Sequence, residues 1–176
     1  MAAPPLSLKA RALQWLAQRE HSRVELRRKL LRAAHKSAQA AGGDGGDGGD
    51  GDGDAKAAAA IEVDALLDWL VAQRYLSQAR FVESRVNARA ARYGELRIRQ
   101  ELGQHGAVLD AASHARLKGS EVARARAVWL RKFGDTPATA AKERARQTRF
   151  LAGRGFSGDV IRQVLRGSES EACDDL

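Results

Sequence analysis

The sequence predicts an all-α protein, an array of three three-helix repeats with about nine helices. Three observations carry this. A phrase occurs twice, as Arg19-Glu-His-Ser-Arg-Val-Glu-Leu-Arg-Arg-Lys-Leu30 and as Arg92-Tyr-Gly-Glu-Leu-Arg-Ile-Arg-Gln-Glu-Leu102. With Ser22 set on Gly94, Leu26 falls on Ile98, Arg27 on Arg99 and Leu30 on Leu102. A shorter echo links Arg74-Tyr-Leu-Ser77 with Arg154-Gly-Phe-Ser157. Apolar residues recur at helical spacing, and no segment reads as a strand. Repeats of this size mark helical modules that each bury too little surface to stand alone.

Helix 1 is expected from about Ser7 to Arg19, with Leu8, Ala12, Trp15 and Leu16 at helical spacing. Helix 2 starts at Ser22, where Ser22-Arg-Val-Glu25 reads as a capping box. Its apolar face is Val24, Leu26, Leu30 and Leu31. Helix 3 covers about Ile61 to Tyr75, with Val63, Leu66, Leu67, Leu70 and Val71 inward. Helix 4, capped by Ser77, carries Phe81, Val82, Val86 and Ala90. Gly94 separates it from helix 5, which holds Ile98 and Leu102 and ends at Gly106. Helix 6 is expected at Ala107 to Leu117. Helix 7 follows Ser120, with Val122, Ala125, Trp129 and Phe133 on one face. Thr136-Pro137 starts helix 8, since proline at the first helical position lacks only an N–H that would have no partner. Helix 9 follows Ser157, with Val160, Ile161, Val164 and Leu165 inward. The divisions follow as repeat 1 over 7–75, repeat 2 over 76–118, repeat 3 over 119–167 and an acidic tail over 168–176.

Repeat 1 is interrupted by Gly42-Gly-Asp-Gly-Gly-Asp-Gly-Gly-Asp-Gly-Asp-Gly-Asp54. Such a segment buries no apolar surface, and ordering glycine costs entropy. A disordered insertion over about 42–60 is therefore expected. Its Gly/Asp pattern lacks the large apolar residue per turn that calcium-binding β-repeats need.

Charge is unevenly placed. The whole chain carries 30 bases and 22 acids, net +8. Outside 42–60 and 168–176, 29 bases face 13 acids, or +16, and 23 of the 30 bases are arginine. That field favours a polyanionic partner, most simply nucleic acid. The single cysteine, Cys173, excludes an internal disulfide and a cysteine-based metal site. No apolar run is long enough for a membrane helix, and Met1 to Ser7 lacks a signal-peptide pattern, so a cytoplasmic protein is expected. No nucleotide-binding loop, paired histidines or nucleophile–base constellation is visible. No enzyme activity, cofactor or metal is expected. The serines stand at helix starts, as caps, and His21 and His105 occupy ordinary surface places.

The arginines are more specific. Arg85, Arg89 and Arg92 stand at i, i+4 and i+7, as do Lys142, Arg146 and Arg149. Arg124 and Arg131 share a face of helix 7, and Arg28 and Arg32 one of helix 2. Like charges at this spacing cost about 0.2–0.5 kcal/mol per pair. The stems either shield apolar seams or the heads face phosphates or an acidic protein groove. Tyr93 is placed to stack on a base or to fill a helix junction.

Leu76-Ser77-Gln-Ala-Arg-Phe81 followed by Ala90-Ala-Arg-Tyr-Gly-Glu-Leu-Arg-Ile-Arg-Gln-Glu-Leu102 resembles the central signature of the RecX family, bacterial regulators of the RecA recombinase. The segment 19–30 resembles that family's N-terminal repeat. Phe150-Leu-Ala-Gly-Arg-Gly-Phe-Ser157 through Val160-Ile-Arg-Gln-Val-Leu165 resembles its C-terminal repeat. Two departures stand out: Gln78 follows Leu-Ser where the family often has an acid, and the Gly/Asp insertion lengthens the helix 2–3 connection. The resemblance implies an elongated, non-enzymatic monomer. It would bind in the groove of RecA–DNA filaments and inhibit ATP hydrolysis, strand exchange and co-protease function. Weaker, salt-dependent affinity for single- and double-stranded DNA goes with it. The positions on the central motif are Arg92, Tyr93, Gly94, Arg97, Ile98, Arg99 and Leu102. Candidate contacts to RecA or DNA are Arg27, Arg28, Arg85, Arg89, Arg92, Tyr93, Arg97, Arg99, Arg124, Arg131, Lys142, Arg146 and Arg149. The alternative is a basic helical protein that acts on DNA without a recombinase.

Overall fold

The computed structural model describes residues 6–41, 51–134 and 140–171. Among these residues the chain forms nine helices and no strand. They are α1 Leu8–Gln18, α2 Arg23–Ala41, α3 Gly51–Ala72, α4 Gln78–Ala90, α5 Glu95–Gln104, α6 Ala111–Gly119, α7 Glu121–Phe133, α8 Ala141–Gly153 and α9 Gly158–Glu171. The chain divides into two compact units, Met1–Phe81 and Val82–Leu176.

In the first unit, α1, α2 and α3 close around Ala12, Leu26, Leu30, Val63, Leu67, Leu70 and Leu76. The helix starts follow from the sequence. The Ser7 hydroxyl accepts the Ala10 amide at 3.2 Å and the Ser22 hydroxyl accepts the Glu25 amide at 3.1 Å. Two bridges clamp α2 to α3. Arg27 grips Asp64 through both carboxylate oxygens, at 2.7 and 2.9 Å, and Arg23 reaches Asp68 at 2.7 Å. The Arg27 guanidinium holds the Asp64 carboxyl below the usual carboxylate range.

Three expectations are corrected here. Val24 and Val71 are about half exposed rather than inward. Val24 lies two residues from buried Leu26, about 200° around a helix of 3.6 residues per turn, and Val71 is about 100° from buried Leu70. The segment 51–60 is helical rather than disordered, because α3 begins at Gly51. The run Ala55-Lys-Ala-Ala-Ala-Ala60 has the highest helix propensity in the chain, and Asp54 in the first turn complements the helix dipole. Residues 42–50 lie outside the described residues. His21 is buried, not on the surface. Its Nδ1 lies 2.9 Å from the Arg19 carbonyl, and its Nε2 lies 3.0 Å from the Lys29 ammonium. An ammonium only donates, so Nε2 accepts and Nδ1 carries the proton of a neutral ring.

In the second unit, α7, α8 and α9 surround Ala125, Val128, Trp129, Leu151, Phe156, Val160, Ile161 and Val164. Buried Trp129 donates its indole N–H to the buried Gln147 side chain at 2.9 Å, so neither polar group is left unsatisfied. Ile98 and Leu102 of α5 are buried, as are Ala107 and Leu117. Helix α6 starts at Ala111 rather than Ala107, because Asp110 caps it by accepting the Ser113 amide at 2.8 Å. The Ala107 amide instead bonds back to the Leu102 carbonyl at 3.0 Å and closes α5. Ser157 caps α9 through the Val160 amide at 3.4 Å. The Thr136-Pro137 start signal lies outside the described residues, and α8 begins at Ala141.

Both sequence echoes are local structural echoes. Leu26 and Leu30 on α2, and Ile98 and Leu102 on α5, are all buried. Leu76 and Phe156 are buried one residue before Ser77 and Ser157, and each serine caps the helix that follows.

Candidate nucleic-acid interface

Within the second unit, the turn between α4 and α5 is joined to the turn between α8 and α9. The Gly94 amide donates to the Arg154 carbonyl at 2.9 Å, and the Leu96 amide donates to the Gly155 carbonyl at 3.2 Å. The backbones are so close that a Cβ on Gly94 would lie 2.2 Å from the Gly155 oxygen. Gly155 itself has φ +83, where side chains are disfavoured, and a Cβ there would lie 2.5 Å from the Arg97 Cβ. Two glycines thus fix the crossing, and the arginines around it inherit defined positions.

Tyr93 is the hub of the crossing. Its half-buried ring lies under three guanidinium groups, those of Arg97 at 5.1 Å, Arg154 at 5.5 Å and Arg89 at 5.7 Å. Each is within cation–π range, so the ring serves the junction. Arg124, half-buried, ties α7 to the same place. Its Nη1 donates to the Tyr93 carbonyl at 2.7 Å and the Ala90 carbonyl at 3.0 Å, and its Nη2 donates to the Leu117 carbonyl at 2.9 Å. Those carbonyls stand at helix ends with no intrahelical donor. Burial lowers the Arg124 pKa, and Glu121 and Glu95 oppose that shift. Arg124 spends these donors on the fold.

Carboxylates from α5 meet part of the arginine stripe. Glu101 lies 3.0 Å from the Arg89 Nε and 3.7 Å from the Arg97 Nε. Glu95 lies 2.9 Å from His114 and 3.5 Å from Arg99. Buried Glu121 accepts the Glu95 amide at 3.0 Å, placing negative charge at the α5 N-terminus. The stripe looked acid-free along α4 because its acids come from the next helix. Arg85, Arg89 and Arg97 line one polar groove with Glu101.

A second concavity is different. Arg92, Arg131, Lys132 and Arg154 line an open pocket of about 350 Å³, with Val128 and Phe150 as its apolar wall and no acidic side chain among the described residues. Arg154 is braced there, over the Phe150 ring at 5.1 Å and donating to the Arg92 carbonyl at 3.5 Å. Sequence reasoning placed Arg92 and Arg131 among the candidates and missed Lys132 and Arg154. The signal for Arg154 was in hand, since it opens the second echo. The other candidates lie elsewhere. Lys142 and Arg149 are exposed on α8, and Arg146 lies over the Phe133 ring at 5.5 Å and beside Glu143 at 3.4 Å. In the first unit Arg28 is exposed, while Arg27 is committed to Asp64.

Comparison with known proteins matches residues 120–165, spanning α7 to α9, to the family model described as RecX, third three-helix domain. A protein of Ralstonia nicotianae named Regulatory protein RecX is 47% identical over 174 residues, covering 97% of this chain and 94% of that one. The chain belongs to the RecX family. A Regulatory protein RecX of Leptothrix cholodnii is 48% identical over 96% of this chain and 93% of its own length. One from Chromobacterium violaceum is 39% identical over 97% of each. The RecX relationship thus spans both compact units and takes in the Tyr93 junction and the basic pocket. No helix among the described residues is long and apolar enough to cross a membrane.

Proposed function

We propose that the protein is a non-enzymatic, cytoplasmic regulator of the RecA recombinase that binds RecA–DNA filaments as a monomer. It inhibits their ATP hydrolysis, strand exchange and co-protease activity. The observation that carries this reading is the near-full-length relationship to RecX regulatory proteins. The arrangement of charge supports it: a cationic surface built on helices and a glycine crossing. Arg85, Arg89, Arg92, Arg97, Arg99, Arg131, Lys142, Arg146 and Arg149 are the contacts proposed in the second unit, and Arg28 in the first. Arg27, Tyr93 and Arg124 act by holding the scaffold.

The test is ATP hydrolysis by cognate RecA on single-stranded DNA with increasing amounts of the protein. Suppression well below one molecule per recombinase monomer is expected. Normal hydrolysis at saturating protein, with the filament verified as assembled, rejects the reading and leaves a protein that acts on DNA alone.

A further inference from the structure

We propose that the pocket lined by Arg92, Arg131, Lys132 and Arg154 is a seat for a backbone phosphate of nucleic acid. The proposal deepens the filament-binding reading and rests on it for its biological setting. The pocket differs from the rest of the basic surface in three ways. It is concave, and four cations from α7 and two separate turns converge on it. Among the described residues no carboxylate lines it, whereas Arg89, Arg97 and Arg99 lie beside Glu101 or Glu95. Its arginines start from fixed places, because the Gly94–Gly155 crossing sets the backbone of both turns and Arg154 is braced on Phe150.

The arrangement discriminates between anions. A protein carboxylate is planar and is satisfied by one arginine fork, as Asp64 is by Arg27. Donors approaching from several elements suit a tetrahedral oxyanion, whose oxygens point in different directions. Four like charges in one concavity repel each other, and a nucleic-acid backbone, with about one charge per 1.7 Å of duplex axis, offsets that repulsion. The apolar wall of Val128 and Phe150 suits the sugar beside the phosphate. Backbone diester and free phosphate share the oxyanion chemistry, and the inference commits to the diester.

The experiment uses the full chain. Binding to labelled single-stranded and duplex oligonucleotides is measured against salt for Arg131→Gln/Lys132→Gln, and for Arg92→Gln separately. A control, Lys118→Gln/Arg166→Gln, removes the same charge from two exposed positions outside the pocket. Melting is followed for all, with Arg131→Lys as a conservative variant that keeps the charge. The double pocket variant should weaken binding on the order of tenfold per lost charge-assisted contact. It should flatten the log K against log salt slope by about 1, the share of the one phosphate the pocket holds. The control should leave the slope nearly unchanged, and Arg131→Lys should retain most of the affinity.

Equal losses in the pocket variant and the control would mean a diffuse field and overturn the proposal. Displacement of oligonucleotide by low concentrations of inorganic phosphate at constant ionic strength would assign the pocket to free phosphate and overturn the diester. Unchanged naked-DNA binding with lost filament binding would mean a protein acid in the pocket. That outcome overturns this proposal while the recombinase reading stands. Lost naked-DNA binding in the variant, together with a wild-type protein that leaves RecA hydrolysis untouched, rejects the recombinase reading and retains the phosphate seat.

Discussion

His21 and Arg124 show how a polar residue in a basic sequence becomes a structural part. Each is held by acceptors or donors of the fold, and burial lowers the pKa of each. For His21 the consequence is measurable. Burial is the largest cause, with the Arg19 and Lys29 charges adding to it and the Arg19 carbonyl and Glu25 opposing it. The folded ring therefore takes up its proton at lower pH than the unfolded ring, whose ordinary value is 6.5. Between those two values the unfolded state binds more protons, so stability falls as pH falls. Urea midpoints should drop between about pH 7.5 and about pH 5.5. His21→Gln, which keeps a donor and an acceptor but does not titrate, should show a smaller drop. Equal drops in both proteins would place the pH dependence elsewhere. Among the arginines, changing Arg89, Arg92 and Arg99 together to Gln should weaken filament binding. Melting should fall only modestly: Arg92 and Arg99 are exposed changes of about 0.5 kcal/mol or less each, while Arg89 is half-buried over the Tyr93 ring beside Glu101. A triple variant that no longer folds, or that binds like wild type, contradicts the assignment.

At the scale of the helix, the sequence was readable at most places where one residue carried the signal. Ser7, Ser22, Ser77 and Ser157 announce helix starts, and all four hydroxyls accept the expected amide. Ser120, read the same way, makes no such cap on α7; its hydroxyl donates back to the Arg116 and Leu117 carbonyls at the end of α6. Leu102 was expected in the core and is 1% exposed. Leu102→Ala should cost about 2–5 kcal/mol, read by denaturant unfolding. What was not readable depended on a partner from another element. The α4 arginine stripe looked free of acids until α5 brought Glu101 beside it. The basic pocket needed α7 and two turns to meet, and only Arg92 and Arg131 of its four cations stood out along the chain. The insertion was misread in part because its glycines were weighed above the alanines that follow them. That correction sharpens a test. Replacing 42–50 with a short Gly/Ser link, and leaving α3 whole, should hardly change melting or inhibition, since doubling a loop costs about 0.6 kcal/mol. Cutting into 51–60 should shorten α3 and lower helicity.

Across the whole molecule, charge and scaffold are separable properties. The chain is +8 overall, while the residues outside the insertion and tail carry +16. Affinity for naked DNA should therefore fall steeply and linearly on a log–log salt plot, as counterions released on binding are taken back. Melting should change little over the same salt range, because the cores are apolar. A flat salt response would remove the phosphate backbone from the account of binding.

The crossing of Gly94 and Gly155 also bears on how the chain reaches its native state. Helical modules fold from neighbours in sequence and so tend to fold fast. This contact joins residues about 60 apart, as the Arg154 bond to the Arg92 carbonyl does at a separation of 62. Closing so large a loop costs entropy before the contact forms, so this crossing should be among the later steps of folding in the second unit. A methyl at position 94 would meet backbone atoms at 2.2 to 2.4 Å, which cannot rotate away. Gly94→Ala should thus leave the separate helices formed and delay or prevent their final docking, with a stability loss of roughly 1–3 kcal/mol. In stopped-flow refolding, with Trp15 and Trp69 replaced by Phe so that Trp129 alone reports, far-ultraviolet ellipticity should recover ahead of Trp129 fluorescence, and the lag between them should lengthen in the variant.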